Sequence, residues 1–153
     1  MTKEQSNPLV ERIQYEGRLL ALILRATFRS EGIEFFTPSD FSQQLGYMNR
    51  PKGYEIEPHV HNPVPRQVSY TKEVLFIRNG QVRVDFYDDG QSYLESRILN
   101  TGDVILLAFG GHGFEMLEAS EVIEVKQGPY AGEDDKTRFA SLSNEKLVIG
   151  ESK

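Results

Sequence analysis

The sequence contains no cysteine and no tryptophan, and histidine and methionine occur only three times each among 153 residues. The absence of cysteine excludes disulfides, thiolate metal sites and cysteine nucleophiles. Apolar runs such as Leu19–Leu24 are far shorter than the ~20 residues that a membrane-spanning helix needs. No run of five like charges occurs, so neither an acidic tail nor a basic arm is predicted.

Charge and size narrow the class of protein further. The net charge is −6, from 17 basic and 23 acidic residues, which argues against nucleic-acid binding because that usually needs a basic face. A chain of 153 residues, 39 % hydrophobic and 26 % charged, fits a single globular domain over 1–153. The first residues are polar and lack the apolar core of a secretion signal. We therefore expect a cytoplasmic protein with no membrane partner.

Turn residues recur at short intervals through the middle of the chain and separate segments rich in Val, Ile, Tyr and Phe. This pattern is typical of an all-β sandwich or barrel. The turns are predicted at Gly53, Asn62-Pro63, Asn79-Gly80, Asp88–Gly90, Thr101–Asp103, Gly110-Gly111 and Gly128-Pro129.

Six strands are predicted between these turns. Asn79-Gly80 is a residue pair that type I′ turns prefer, so the strands on either side of it are predicted to form a hairpin. Alternation in the second strand places Arg83 and Asp85 on the face opposite to Val82 and Val84. The predicted strands are Glu73–Arg78, Gln81–Tyr87, Tyr93–Leu99, Val104–Leu107, Phe114–Met116 and Val122–Lys126.

The N-terminal third has two interpretations. Glu16-Gly17 can be the turn between strands Ile13–Tyr15 and Leu19–Leu24, or Leu19–Ser30 can be an amphipathic helix. The alternation of Ile13–Tyr15 and the surrounding strands favour the first interpretation. A short helical turn capped by Ser39 is predicted at Ser39–Gln44.

The C-terminal residues 128–153 are polar, with isolated apolar side chains. These can dock on the domain as a short strand or helix. They are Leu142, Leu147, Val148 and Ile149.

All three histidines lie where metal ligands are expected. His59 and His61 form an H-x-H pair, and His112 lies 51 residues later. If the pair ends a strand, both imidazoles point to the same face and can reach one cation. Glu73 opens an apolar segment and offers a charged oxygen. Three imidazoles and one carboxylate suit Fe, Mn, Ni, Zn or Cu.

These residues resemble the two motifs of the cupin superfamily of small β-barrels. The first motif is G-x5-H-x-H-x(3,4)-E-x6-G, and the chain has Gly53, His59, His61, Glu73 and Gly80. The second is G-x5-P-x-G-x2-H-x3-N, and the chain has Gly102, Ala108, Gly110, His112 and Met116. The match covers 64 of 153 residues, from Gly53 to Met116.

The chain departs from the cupin pattern at three places. Eleven residues, instead of three or four, separate His61 from Glu73. Ala108 replaces the motif proline, and one residue fewer precedes His112. Met116 replaces the asparagine. All four ligand positions are nevertheless retained.

The resemblance implies an all-β fold, a cupin-type barrel (double-stranded β-helix or jelly roll) with few short helical turns. Extra N-terminal strands are expected at 10–37, the barrel core at about 45–127 and a polar segment at 128–153. A divalent transition metal, Fe, Mn, Ni or Zn, is expected on His59, His61, Glu73 and His112. A homodimer is also expected.

The resemblance implies a small-molecule ligand, such as a sugar or sugar-nucleotide, and leaves open whether the protein is an enzyme. A metal-dependent isomerase or epimerase and an Fe-dependent dioxygenase both fit the site. So does a non-catalytic binding or sensing module, or a metal-free epimerase-like cupin with a histidine base.

Six further residues are weaker candidates. Three can bind an anionic substrate near the barrel mouth, although solvated surface residues are the simpler interpretation: Arg66, Tyr70 and Arg78. Three others can point toward the metal: Tyr47, Asn49 and Glu115.

Overall fold

The structure of the protein is a computed structural model that describes residues 7–150. Two short 3-10 helices, Gly132–Asp135 and Asn144–Lys146, accompany the strands. In this part of the chain no helix is long and apolar enough to cross a membrane. The ten strands found there are β1 Val10–Tyr15, β2 Arg18–Leu24, β3 Gly32–Phe35, β4 Gly46–Asn49, β5 Glu73–Asn79, β6 Gln81–Tyr87, β7 Tyr93–Asn100, β8 Val104–Leu107, β9 Gly111–Met116 and β10 Glu121–Lys126.

The chain divides into two compact units. One comprises the residues up to Phe28 and from Thr71 onward, and the other comprises Arg29–Tyr70. The second unit contains the antiparallel pair β3–β4, in which Gly32 lies opposite Asn49. Its residues 50–70 carry no strand or helix. The single domain over 1–153 stays a prediction.

The first unit contains two antiparallel sheets. The larger has the strand order β1-β2-β8-β5-β10, and the smaller has the order β7-β6-β9. Over residues 7–150 no sheet closes on itself. The all-β class with few helical turns is therefore confirmed, whereas the cupin-type barrel stays a prediction.

Alternate side chains of the two sheets form one buried cluster. Since successive side chains of a strand point to opposite faces, each strand contributes every second residue. A fully buried aliphatic or aromatic side chain stabilises the fold by about 1.5–3 kcal/mol, so this cluster holds the two sheets together. It includes Ala21, Ile23, Leu75, Ile77, Ile105 and Leu107 from the larger sheet, and Val82, Val84, Phe86 and Leu99 from the smaller.

The hairpin predicted around Asn79-Gly80 is wrong, although its strands are confirmed. β5 pairs with β8 and β10, whereas β6 pairs with β7 and β9. Gly80 has φ 94°, and a Cβ there would lie 2.5 Å from the carbonyl oxygen of Ala119. The chain passes here from the larger sheet to the smaller one, and Gly80 allows its backbone to lie close to that of Ala119. It does not form a hairpin turn.

The strand interpretation of the N-terminal third is confirmed, and the helix over Leu19–Ser30 is wrong. β2 pairs with β1 on one side and with β8 on the other, so its backbone groups are used in the sheet. Pairing with two neighbouring strands therefore outweighs the helical preference that the spacing of its apolar residues suggested.

The helical turn predicted at Ser39–Gln44 is also wrong, since no helix forms there. The Gln44 side chain amide donates to the carbonyl oxygens of Pro38 and Phe41 at 2.9 and 2.8 Å. Such local side-chain bonds to the backbone compete with helical hydrogen bonding.

The C-terminal segment docks on the smaller sheet through Ile149, as predicted. Ile149 forms a parallel bridge with Ser96, and Ser96 N donates to the carbonyl oxygen of Val148 at 2.9 Å.

Below this segment, Arg83 Nε donates to Asp85 Oδ1 at 2.8 Å, and both residues are buried. The polar face of β6 is therefore covered and internally paired.

Asp103 connects three parts of the first unit and is only 3 % exposed. Its carboxylate accepts from Ala26 N, Asn100 N and Arg25 Nη1, each at 2.8 Å. Arg25 Nε also donates to Glu11, at 2.5 Å. Removal of this carboxylate would leave the amides of Ala26 and Asn100 without this acceptor and would take one of two carboxylate partners from the part-buried Arg25.

We expect Asp103→Ala to lower the free energy of unfolding by about 3–5 kcal/mol, the usual cost of breaking a buried ion pair by removing one partner. Urea denaturation measures this loss. Asp89→Ala is the matched control, since Asp89 pairs with Arg18 at 2.6 Å but is 70 % exposed. That exposed pair should cost about 1 kcal/mol or less, and equal losses in both variants would contradict the prediction.

Candidate metal site

The first unit brings Glu73 and His112 together at the end where β5 and β9 begin. Glu73 opens β5 in the larger sheet, and His112 is the second residue of β9 in the smaller sheet. His112 Nε2 lies 3.1 Å from Glu73 Oε2, and since a carboxylate can only accept, the imidazole donates. One hydrogen bond thus joins the two sheets, and two of the four predicted ligands are in contact.

Gly110 sets the position of His112. It has φ 73°, and a Cβ there would lie 2.5 Å from the carbonyl oxygen of Tyr87, so only glycine fits this turn. β9 then starts in register with β6, with His112 opposite Phe86.

The surroundings of Glu73 favour its charged form. The hydrogen bond from His112 holds the pKa of Glu73 below its ordinary value of 4.5, against partial burial, which raises it. The charges of His112, Lys126 and Lys136 lower the pKa further. Glu73 is therefore a carboxylate that is ready to bind a cation at neutral pH.

The second unit presents His59 and His61 side by side on its surface. Their ring centroids are 5.3 Å apart, with the planes at 83°, and both residues are exposed. His59 Nδ1 lies 2.9 Å from the carbonyl oxygen of Glu57. Because a carbonyl only accepts, Nδ1 carries the proton and Nε2 keeps the lone pair that a metal needs.

The strand end predicted at His59–His61 is wrong. Residues 54–69 form no strand, and this segment contains Pro58, Pro63 and Pro65. Proline has no backbone N–H to donate to a strand ladder. Prolines on both sides of the histidine pair therefore disfavour regular pairing.

Each unit carries one half of the predicted ligand set. Within neither unit, over residues 7–150, do three histidine or acidic side chains form a group that could hold a metal ion. Glu73 with His112, and His59 with His61, are two separate pairs of donors. The four-ligand site stays a prediction.

Two weaker candidates of the first unit lie away from Glu73 and His112, and their roles stay predictions. Arg78 lies 3.7 Å from Glu121, and five residues along β5 place it ~17 Å from Glu73. Glu115 pairs with Arg83 at 2.8 Å, on the face of the smaller sheet opposite to His112. Three others lie in the second unit and stay predictions: Tyr47, Arg66 and Tyr70. Asn49, also there, donates from Nδ2 to the carbonyl oxygen of Ser30 at 3.0 Å.

A cavity of about 310 Å³ lies elsewhere in the first unit, between the β1–β2 and β6–β7 turns. Its charged lining includes Glu16, Arg18, Asp88 and Asp89. Neither Glu73 nor His112 lines it. We therefore treat this cavity as separate from the candidate metal site.

Sequence reasoning missed Lys126 and Lys136, whose charges act on Glu73. Lys126 ends β10 directly opposite Glu73. The sequence shows a lysine at the end of an apolar strand, but only the pairing of β10 with β5 brings it to this carboxylate.

Comparison of the chain with protein-family models, with curated proteins and with solved structures finds no match. The resemblance to cupins therefore depends on the motif residues themselves.

We expect His112→Phe to raise the pKa of Glu73, because the hydrogen bond is lost while burial remains. The Glu73 carboxyl resonance, followed by ¹³C NMR during a pH titration, measures this shift against the same residue in urea. Since the folded pKa lies below the unfolded value, the stabilisation from this pair is present above the unfolded pKa and is lost as pH falls through the folded pKa. An unchanged titration of Glu73 in the variant would contradict this interpretation.

Proposed function

We propose that this protein is a metal-binding cupin that acts on a small molecule, with His59, His61, Glu73 and His112 as the metal ligands. The observation that carries the proposal is the 3.1 Å contact between His112 Nε2 and Glu73 Oε2. These residues lie 39 positions apart in the sequence and come from different sheets. One residue of each motif, Glu73 of the first and His112 of the second, therefore meet at one end of the first unit.

The chemistry of this pair fits a divalent cation. A neutral imidazole carries one ring proton, and in the tautomer with that proton at Nδ1 the Nε2 lone pair of His112 would be open to a cation. His112 and Glu73 would then be two neighbouring ligands of one ion. Imidazole and carboxylate together suit Fe, Mn, Ni and Zn.

The H-x-H pair has the properties needed to supply the other two ligands. His59 and His61 are exposed, and the hydrogen bond at Nδ1 leaves His59 Nε2 without the ring proton. Eleven residues separate His61 from Glu73, and an extended chain of that length spans up to ~36–40 Å. The connection is therefore long enough for all four side chains to bind one ion.

When bound, such a metal supplies a Lewis acid that polarises a carbonyl or hydroxyl oxygen of the ligand. Glu73 and the histidines then hold the ion, and positions not taken by protein remain for the small molecule. A sugar or sugar-nucleotide is the substrate that we propose. A metal held by three histidines and Glu73 is compatible with four activities. They are isomerisation, epimerisation, oxidative cleavage at an Fe site and non-catalytic binding. A homodimer in the cytoplasm is part of the same proposal.

Protein purified without chelator should contain stoichiometric metal, and His61→Ala or Glu73→Gln should remove most of it. Loss of a ligand should cost more than the ~10–100-fold in affinity that an outer partner costs. Elemental analysis after dialysis measures the metal content.

Asp135→Asn is the matched control for the carboxylate variant, since Asp135 accepts a hydrogen bond from Thr71 at 2.5 Å and is not among the proposed ligands. It should keep its metal. Full metal retention in His61→Ala would refute the proposed ligand set.

A further inference from the structure

We propose that β10 forms the interface of a homodimer, in which it pairs antiparallel with β10 of a second copy of this chain across a two-fold axis at Val125. This inference rests on the proposed function only in taking the chain as a homodimer. It adds the strand, the register and the residues that meet, and it does not depend on the metal ligands.

β10 is an open edge of the larger sheet within residues 7–150. The strand order is β1-β2-β8-β5-β10, so β5 covers one side of β10 and no described strand covers the other. Five of its six residues are exposed, and Val122 is partly buried. Such an edge presents a row of backbone N–H and C=O groups that is a template for pairing with another chain.

The hydrogen bonding to β5 shows which backbone groups face the open edge. Gln127 N donates to the carbonyl oxygen of Lys72 at 3.0 Å, so the backbone of Gln127 turns toward β5. Because this direction alternates along an antiparallel strand, Val125 also turns its backbone groups toward β5. Glu124 and Lys126 therefore turn theirs to the open edge, where a strand of a second copy can pair with them.

The order of charges along β10 selects the register of this pairing. Glu124 and Lys126 share one face of the strand, and their Oε1 and Nζ atoms lie 3.6 Å apart. With Val125 on the two-fold axis, each Glu124 lies directly opposite Lys126 of the second copy, and opposite charges in such pairs stabilise a sheet. An axis one residue to either side would place Glu124 opposite Glu124, or Lys126 opposite Lys126.

The other face of β10 adds an apolar contact. Ile123 and Val125 are 48 and 61 % exposed, and Phe76, which lies opposite Ile123 on β5, is 38 % exposed. In the proposed register Val125 packs against its own copy and lies diagonal to Ile123 of the second copy, which is within side-chain reach. The two copies then form one continuous apolar strip, and exposed apolar patches commonly mark such interfaces.

The ends of β10 limit the pairing to its middle. Natural proteins protect exposed edges with charges, prolines and bulges, and here a bulge lies between Glu121 and Val122 while Gly128-Pro129 follows the strand. Residues 123–127 between them pair regularly. Their charges alternate in sign, so they oppose a strand in the wrong register and match a second copy of β10.

Since the chain contains no cysteine, a single introduced cysteine tests the register. Residues opposite each other at a non-hydrogen-bonded position have Cα atoms ~4.5 Å apart, within the ~4.4–6.8 Å that a disulfide spans. We expect Val125→Cys to form a disulfide-linked dimer under mild oxidation, measured on a non-reducing gel. Ile123→Cys is the matched control and should link far more slowly, because its two copies would be ~14 Å or more apart.

Analytical ultracentrifugation over a dilution series measures the dimer dissociation constant. Glu124→Lys places lysines opposite each other in both cross-strand pairs and should raise this constant at least about tenfold, or ~1.4 kcal/mol. Glu145→Lys makes the same charge change on the exposed 3-10 helix Asn144–Lys146 and should leave the constant unchanged. Equal effects of the two variants would overturn the inference, since net charge alone would then govern association.

Three further results would overturn it. They are a monomer at every concentration, a dimer in which Val125→Cys does not link, and equal linking of the two cysteine variants. The substituted side chains are all exposed, so the variants should fold, and urea denaturation of the reduced proteins verifies this.

Two of these outcomes separate the inference from the proposed function. A dimer without linkage through residue 125 would contradict the inference and leave the homodimer standing with another interface. Elemental analysis of the linked dimer gives the converse, because a linked dimer that never retains metal would support the inference and contradict the proposed metal site.

Discussion

The hydrogen bond between His112 and Glu73 is the interaction on which the functional account depends. It joins the first residue of β5 to the second residue of β9, in different sheets and 3.1 Å apart, at one end of the buried cluster. On the other side of the unit Glu11 of β1 pairs with Arg97 of β7 at 3.0 Å, so the sheets are linked by charges at both sides. Glu11 pairs with two arginines and is buried. Glu73 has a partly buried imidazole and two exposed lysines near it. Only the second carboxylate is placed to meet a ligand.

The strands were predictable because their apolar residues alternate and glycines mark the turns between them. Which strands pair was not predictable from the same signals. Asn79-Gly80 has the sequence of a hairpin turn, yet the chain passes there from one sheet to the other, because β5 finds partners in β8 and β10. Such long-range pairing is decided by the burial of whole faces, and the local preference of a two-residue turn cannot decide it. Ser39–Gln44 shows the same limit, since the Gln44 side chain there donates to the backbone carbonyls of Pro38 and Phe41 and no helix forms.

The candidate site was also predictable only in part, because motif spacing identifies some of its residues and strand pairing determines the others. Glu73 and His112 were recognisable from motif spacing, and the structure brings them into contact. Lys126 and Lys136 carry no motif, and only the register of β10 and the anchoring of Asp135 on Thr71 place them beside Glu73. His59 and His61 were expected at a strand end, but they lie in an irregular segment rich in proline. Their convergence with Glu73 and His112 on one ion stays a prediction.

X-ray absorption spectroscopy at the zinc edge of zinc-loaded protein tests the central claim most directly. The account predicts a first shell of three imidazole nitrogens at about 2.0–2.1 Å and a carboxylate oxygen at about 2.0–2.2 Å, and the loss of imidazole scattering in His59→Ala, His61→Ala and His112→Phe alike. A shell with one imidazole, unchanged when either member of the H-x-H pair is removed, would contradict it.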